Sequence, residues 1–214
     1  MTDPRCHTIL ASGRLVELTH PDAKDYADAE ALAEHLAKEN RWNGATPGVA
    51  YSVAEHLWRG ALAAFAETSD RRLVAYFLLH DAPEALLKDD PTPKTNAVIR
   101  ITDQLFGPAK GAMIANALSE LNDRHDRAAH AAFGLDWPMP AAVRMAVREW
   151  DYRMARTEWR DLLGDPPLPT SAPWRDVEPI SDKPIKPLDS WRDAKRMLLA
   201  AWCEFLPSLG GRAA

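Results

Sequence analysis

The sequence predicts an all-α fold, on the evidence of its composition and of the spacing of its apolar residues. Ala is abundant and β-branched residues are sparse, a balance that favours helices over strands. Apolar side chains recur every three to four residues through several long stretches, which gives a helix one apolar face. Asn-Gly, Pro-Gly and Gly-Pro pairs separate these stretches. We therefore expect a helical bundle.

The boundaries of the helices follow from capping residues and breakers. Ser52 and Glu55 are spaced as a capping box and predict the start of a helix. Residues 1–21 are expected to be irregular, and the Pro-rich residues 165–190 to form an extended strap. The predicted helices span Asp22–Asn40, Ser52 to about Glu67, Asp70 to about Leu87, Asn96–Phe133 with a break at Gly107-Pro108, Ala141–Leu163 and Trp191 to about Phe205.

Length and charge narrow the class of protein. The 214 residues suit one ordinary domain, with a core at about 22–163 and an extension at 164–214. Apolar residues make up 46% and charged residues 27%, the profile of a globular protein in water. The net charge is −5 and no block of Lys or Arg stands out, so we expect no groove for long nucleic acid.

Nothing in the sequence indicates export or a membrane partner. The first residues lack the apolar run of a secretory signal, and no stretch reaches the ~20 apolar residues of a membrane span. Cys6 and Cys203 are too few for a disulfide framework or a cysteine-based zinc site. The expected location is cytoplasmic.

Four residues form the strongest chemical pattern in the chain. His56, the adjacent pair His80-Asp81, and Asp151 fall on three different predicted helices, which can converge on one ion. Imidazole nitrogens and carboxylate oxygens together suit a divalent transition metal such as Mn, Co, Fe, Zn or Ni. Open positions on such an ion can take water and a phosphate oxygen. The remaining histidines are expected not to bind metal; they are His7, His20, His35, His125 and His130.

Three segments carry a family resemblance: RWNGATPGVAYSVAEH (41–56), LLHDAPEALLKDDPTPK (78–94) and EWDYRMARTEWRDLL (149–163). These segments resemble the HD superfamily of metal-dependent phosphohydrolases in their order, their spacing and the residues that flank the candidate ligands. The resemblance is to the branch that contains bacterial 5′-deoxynucleotidases and phage-type deoxynucleotide (dATP) hydrolases. The resemblance covers roughly residues 10–163. In that family a His, a His-Asp pair and a distant Asp hold one divalent metal, which implies an HD-domain bundle with His56, His80, Asp81 and Asp151 as ligands.

The same resemblance implies roles for neighbouring residues. Glu84 corresponds to the family's glutamate that is assigned to the hydrolytic water, so Glu84 and Asp81 are the candidate catalytic residues. Arg41 is expected to grip phosphate through its planar fork, and Trp42 to pack either against the sugar or base or in the core. Asp89 falls near the expected sugar and phosphate, and Lys94 is expected to neutralise further phosphate charge.

Two local features leave alternatives open. Pro83 lies inside the predicted helix that carries His80, so either the helix kinks there or Pro83 begins a new segment. The family usually has Gly-Asp before its Pro-Thr-Pro loop, whereas this chain has Lys88-Asp89-Asp90. This departure bears on the substrate more than on the fold.

The resemblance therefore implies a metal-dependent phosphohydrolase that acts on a small-molecule deoxynucleotide. The preferred reading is a 5′-deoxynucleotidase that removes the phosphate of a deoxynucleoside monophosphate. The alternatives are a dNTP triphosphohydrolase that releases tripolyphosphate and a non-catalytic nucleotide-binding HD protein. Cyclic-nucleotide or alarmone hydrolysis fits the flanking segments less well. Family members commonly form dimers or larger assemblies, so homo-oligomerisation stays open.

Overall fold

Helices make up most of the protein, which confirms the all-α prediction. The computed structural model describes residues 6–181 and 183–209, and the only sheet in those ranges is one small hairpin. The α-helices are α1 (Ala29–Lys38), α2 (Val53–Thr68), α3 (Arg71–Phe77), α4 (Glu84–Leu87), α5 (Thr92–Phe106), α6 (Lys110–Phe133), α7 (Ala141–Leu162) and α8 (Trp191–Phe205). Across the described ranges, none of the helices has the length and apolar character needed to cross a membrane.

The prediction of an irregular N-terminus was wrong for the described residues. Strands β1 (His7–Ile9) and β2 (Leu15–Glu17) form an antiparallel hairpin in which His7 lies opposite Glu17. The turn contains Gly13 at φ +85°, a left-handed conformation that glycine adopts without a steric penalty. The turn at Gly13 therefore lets the chain reverse and pair these two short strands.

The predicted helix Asp22–Asn40 is divided in two. A short 3-10 helix, Ala23–Tyr26, comes first and is capped by Asp22, whose side chain accepts a hydrogen bond from the Lys24 amide. Asp28 then caps α1 by accepting from the Ala31 amide. Each aspartate satisfies backbone donors at a helix start, so two caps in close succession favour two short helices over one long one.

The predicted helix from Asp70 to about Leu87 is also interrupted. Helix α3 ends at Phe77, residues 78–83 form successive turns, and α4 begins at Glu84 directly after Pro83. Proline lacks the amide hydrogen that a continuing helix needs, and its ring meets the carbonyl of the preceding turn. Pro83 thus begins a new segment. The pair His80-Asp81 lies on this turn, which corrects its predicted placement on a helix.

The other helix boundaries agree closely with the sequence. Ser52 caps α2 by accepting from the Glu55 amide at 3.2 Å. Gly134, at φ +78°, ends α6, and α8 spans the predicted range. Helix α5 begins four residues before the predicted Asn96, because proline is tolerated in the first turn of a helix.

Helices α2 and α3 lie at the centre of the bundle, where α2 packs against α1, α3, α7 and α8. Residues 73–77 of α3 are all buried. Gly60 lets α2 approach α3 and α7 closely: a Cβ at this position would lie 2.9 Å from Met154 Cγ and closer still to the Phe77 ring. Both of those side chains are fully buried, so neither has free space to move into.

We expect Gly60→Ala to lower the free energy of unfolding by about 1–3 kcal/mol, because the added methyl overpacks the core. In an open helical position the same change would stabilise the protein by about 1 kcal/mol. Urea denaturation measures the difference. The control is Ala66→Gly on the exposed side of α2. It should lower the free energy of unfolding only by the difference in helix propensity between Ala and Gly, about 1 kcal/mol. A stabilised Gly60→Ala variant would contradict this close packing.

The Pro-rich strap (residues 165–190) runs across α2 and α7 and forms no regular helix or strand in its described residues. Backbone amides of the strap donate to side chains of these helices. The pairs are Ile180 N with Thr157 Oγ1 at 2.9 Å, Ile185 N with Asp161 Oδ2 at 2.8 Å and Leu188 N with Glu55 Oε1 at 2.9 Å. The strap is therefore held by hydrogen bonds as well as by its apolar contacts.

Candidate metal centre

The ligand atoms of His56, His80 and Asp151 converge from α2, the 78–83 turn and α7, all within 4.8 Å of one another. The two Nε2 atoms lie 3.4 Å apart. Asp151 Oδ1 lies 3.3 Å from His56 Nε2 and 3.7 Å from His80 Nε2. Ligand atoms bound at about 2.1 Å to one ion are separated by about 3.0–3.4 Å, so this triangle is close to the size that an ion requires.

The second nitrogen of each histidine is already engaged. His56 Nδ1 lies 2.7 Å from Glu158 Oε1, and His80 Nδ1 lies 2.7 Å from the Phe77 carbonyl oxygen. Both acceptors require a proton on Nδ1, which leaves the Nε2 lone pairs directed at the shared space. Such outer hydrogen bonds orient metal-binding imidazoles. The donor set and its support therefore fit a divalent transition metal.

Asp81, the fourth predicted ligand, lies beside this triangle. Its Oδ1 is 3.3 Å from His80 Nε2 and its Oδ2 is 3.8 Å from His56 Nε2. Oδ2 also accepts a hydrogen bond from Arg41 Nη1 at 3.1 Å. The structure thus brings all four predicted ligands together. The group able to hold a metal is confirmed for His56, His80 and Asp151, whereas coordination by Asp81 stays a prediction.

The charges around the triangle favour a cation. Burial opposes ionisation of Asp151, but hydrogen bonds with His56 and His80 outweigh it and hold the pKa of this carboxyl well below its usual range. Burial likewise opposes protonation of His80, but Asp81 and Asp151 raise its pKa well above the ordinary value. Negative charge is therefore concentrated where a divalent ion would lie.

Glu158 is the main site residue that the sequence reasoning missed. It is fully buried and, besides His56, accepts hydrogen bonds from Arg41 Nε at 3.0 Å and from Trp42 Nε1 at 2.9 Å. Glu158 lies seven residues after Asp151 on α7, a spacing that returns to nearly the same helix face. That spacing was a usable signal for a second carboxylate directed at the same site.

Glu158→Ala is expected to weaken metal binding by about 10–100-fold, because His56 loses the acceptor that orients it. It should also lower the free energy of unfolding by about 3–5 kcal/mol, since Arg41 loses a buried partner. Calorimetric titration with Mn²⁺ and urea denaturation measure the two effects. Glu158→Gln keeps one acceptor oxygen and should recover part of each. Unchanged metal affinity in both variants would exclude this positioning role.

Glu84 and Asp89 lie close to the centre. Glu84 Oε2 is buried and has no hydrogen-bond partner among residues 6–181 and 183–209. Burial, reinforced by the charge of Asp81, raises the pKa of Glu84 well above its usual value. Asp89 is partly buried, and burial raises its pKa too, while Arg41 opposes the shift. Both carboxyls are therefore near enough to the site to sense its charges.

The other predicted substrate contacts differ in their surroundings. Arg41 is largely buried between Asp81 and Glu158. The Trp42 ring makes edge contacts with Trp159 and with Trp174 of the strap, at centroid distances of 5.6 and 5.8 Å. Lys94 is exposed at the start of α5, where it pairs with Asp90. Packing thus accounts for Trp42 in this structure, and contact of Trp42 or Lys94 with substrate stays a prediction.

The histidines that were expected not to bind metal lie outside the triangle. His35 Nδ1 bonds to the Ala85 carbonyl, His125 to Tyr26 and the Leu18 carbonyl, and His130 to the Asp126 carbonyl. The bonds of His35 and His125 link separate segments of the chain, whereas that of His130 lies within α6. In the described ranges the one group suited to a metal contains none of these histidines.

The fold and the site together define a helical protein with a candidate centre for a divalent metal. No protein-family model matches the chain. Over 162 residues it is 37% identical to an uncharacterized protein of Rhodobacter capsulatus, in a match that covers 72% of this chain and 72% of that protein. The chain therefore belongs to the same family as the Rhodobacter capsulatus protein.

Proposed function

We propose that the protein is an HD-type, metal-dependent phosphohydrolase that acts on deoxynucleotides, most directly as a 5′-deoxynucleotidase on deoxynucleoside monophosphates. The observation that carries the proposal is the triangle of His56, His80 and Asp151, together with Arg41, which bonds to Asp81, and Glu84, one of whose carboxyl oxygens is buried and unpartnered among the described residues. The resemblance of the flanking segments to the HD superfamily supports the same assignment.

His56, His80 and Asp151, with Asp81 as the fourth ligand, would hold the divalent ion. Bound there, the ion would supply Lewis-acid activation of the phosphate and of a water molecule. The Nδ1 hydrogen bonds of His56 and His80 keep both imidazoles in the tautomer that this role needs. The protein therefore enters the reaction with its ligands already oriented.

Arg41 would bind the phosphate. Its Nε and Nη1 donate to Glu158 and Asp81, and its Nη2 makes no hydrogen bond to any residue that the structure describes. Although burial opposes its charge, Glu158 and Asp81 hold the pKa of Arg41 above its usual value, so the guanidinium stays charged. A guanidinium that is held in place, charged and still has free N–H donors is well suited to bind a phosphate oxygen.

Glu84 is the candidate for orienting the water and accepting its proton. Its unpartnered Oε2 provides an acceptor close to Asp81 and Arg41. A raised pKa brings a carboxyl closer to the range in which proton transfer near neutral pH is efficient. Glu84 would take a proton from the water as the phosphorus–oxygen ester bond breaks, and a proton returned by Glu84 or supplied by solvent would complete the hydroxyl of the leaving deoxynucleoside.

The test is a product screen with purified protein and Mn²⁺ or Co²⁺ over all four dNMPs, dNTPs and their ribose counterparts. Nucleoside and orthophosphate from dNMPs would support the proposal, whereas nucleoside and tripolyphosphate from dNTPs would establish the triphosphohydrolase alternative. Metal analysis addresses the non-catalytic alternative, which predicts that the protein contains no metal and takes none up. Intact substrates in the presence of bound metal would overturn the nucleotide assignment.

A further inference from the structure

Three tryptophans from distant parts of the chain form an aromatic cluster next to Arg41. Trp42 follows Arg41 directly, Trp159 lies on α7 and Trp174 belongs to the strap. The ring centroids lie 5.6 Å apart for Trp42 and Trp159, 5.8 Å apart for Trp42 and Trp174, and 5.3 Å apart for Trp159 and Trp174. Each ring therefore packs against the other two, at distances at which aromatic pairs attract one another.

The strap is attached to α7 on both sides of Trp174. Before it, the Pro166 carbonyl oxygen accepts a hydrogen bond from Trp159 Nε1 at 2.8 Å. After it, the Ile180 amide donates to Thr157 Oγ1 at 2.9 Å. Because both partners lie on α7, the strap holds the Trp174 ring at a defined place in the cluster.

The backbone that follows Arg41 has a conformation that depends on its surroundings. Trp42, Asn43 and Gly44 have φ angles of 58°, 53° and 69°. This left-handed region suits glycine but is uncommon for a side chain as bulky as that of Trp. A residue stays there when surrounding contacts specify it. For Trp42, those contacts are the hydrogen bond from Nε1 to Glu158 and the packing against the other two rings.

The two carboxyl oxygens of Glu158 have different partners. Oε1 lies 2.7 Å from His56 Nδ1 and orients that metal ligand. Oε2 accepts hydrogen bonds from Arg41 Nε at 3.0 Å and from Trp42 Nε1 at 2.9 Å. A shift of the Trp42 ring would therefore disturb the oxygen that holds Arg41, whereas the oxygen that orients His56 would keep its partner.

We propose that Trp174 is a positioning residue: through Trp42 and Glu158 Oε2, the strap holds Arg41 in the orientation that binds phosphate, a role that rests on the proposed function of Arg41. The strap lies outside the segments that resemble the HD superfamily, and this role gives it a part in substrate binding. Since the connection runs through Oε2, phosphate affinity depends on Trp174 and metal affinity does not.

The test is calorimetric titration of the Mn²⁺-loaded full chain with inorganic phosphate. Trp174→Ala should weaken phosphate binding by about tenfold, because small displacements of a positioning group have effects of this order or larger. Its Mn²⁺ affinity should equal that of the wild type. Trp174→Phe keeps an aromatic ring in the cluster and should recover most of the phosphate affinity. The matched control is Arg175→Ala, at the next position of the strap, where the side chain is 48% exposed; it should behave as wild type.

Either of two calorimetric results would overturn the role of Trp174. One is wild-type phosphate affinity in Trp174→Ala. The other is a parallel loss of Mn²⁺ affinity in that variant, which would indicate general loosening of the fold. A wild-type protein that takes up Mn²⁺ but binds no phosphate would overturn it as well. Phosphate binding that depends on Trp174, in a protein that hydrolyses no nucleotide, would contradict the proposed function alone.

Hydrogen exchange tests the same connection without any ligand. The Arg41 amide donates to the Tyr51 carbonyl oxygen at 2.9 Å, and the Ala45 amide donates to the Trp42 carbonyl oxygen at 3.0 Å. Both amides should exchange about tenfold faster in Trp174→Ala than in the wild type, because the segment between them opens more often. Amides of α2 should exchange at the wild-type rate, which shows that the variant is folded. Unchanged exchange at Arg41 and Ala45 would show that the strap does not constrain this segment.

Discussion

Asp151→Asn is expected to abolish both metal uptake and phosphate release. The substitution keeps the shape of the side chain but removes the charge that faces both Nε2 atoms at 3.3 and 3.7 Å. Loss of an outer hydrogen bond alone costs about 10–100-fold in metal affinity, and loss of a direct ligand should cost more. Titration calorimetry with Mn²⁺ measures the affinity, and chromatography of the reaction products measures turnover.

Thermal unfolding gives a readout of the same variant that does not depend on activity. A ligand at 100 times its dissociation constant stabilises the folded state by about 2.7 kcal/mol, so Mn²⁺ should raise the melting temperature of the wild-type protein but not of Asp151→Asn. Glu149→Gln, two residues earlier on the exposed face of α7, is the matched control and should behave as wild type. Retained Mn²⁺ stabilisation in Asp151→Asn would show that this residue is not a ligand.

Glu84→Gln is expected to reduce turnover by about 10²–10⁴-fold, the usual contribution of a general acid or base. The amide has the same shape but accepts no proton, so metal affinity should stay close to that of the wild type. Single-turnover rates with saturating Mn²⁺ and dNMP measure the chemical step, and calorimetry measures metal binding in the same preparation.

The matched control for Glu84 is Asp90→Asn, which removes an exposed carboxylate from the following loop, where it pairs with Lys94. Its turnover should be unchanged. Wild-type turnover in Glu84→Gln would exclude a catalytic role. Loss of metal together with turnover would instead identify Glu84 as a ligand.

Much of the fold could be predicted because it depends on local signals. Caps, glycines and apolar spacing act within one or two turns of helix, and they located the start of α2, the end of α6 and the whole of α8. The errors also have local causes. Helix α3 ended at Phe77 and Pro83 began a new helix where apolar spacing suggested one continuous helix, and Asp28 likewise began a helix where periodicity suggested continuity.

The same distinction between local and long-range causes applies to the candidate metal centre. Residue type limits which side chains can bind a metal, and the resemblance of the flanking segments to the HD superfamily singled out His56, His80 and Asp151 among them. The surroundings of each ligand depend on contacts between distant parts of the chain. Glu158 forms hydrogen bonds with Arg41, 117 residues away in the sequence, and with His56, 102 residues away. The spacing of apolar residues along the chain cannot predict contacts at such separations.

The sequence by itself therefore determined the helical class and most helix ends, because these follow from side-chain chemistry and short-range hydrogen bonding. It also singled out residues able to hold a metal, through the segments that flank them. Only the tertiary structure decided that His80 and Asp81 lie on a turn and that Glu158 fixes His56 and Arg41. Those features arise when packing brings groups from distant parts of the chain into a buried environment. An unpaired polar atom there costs free energy, so each buried polar group needs a particular partner.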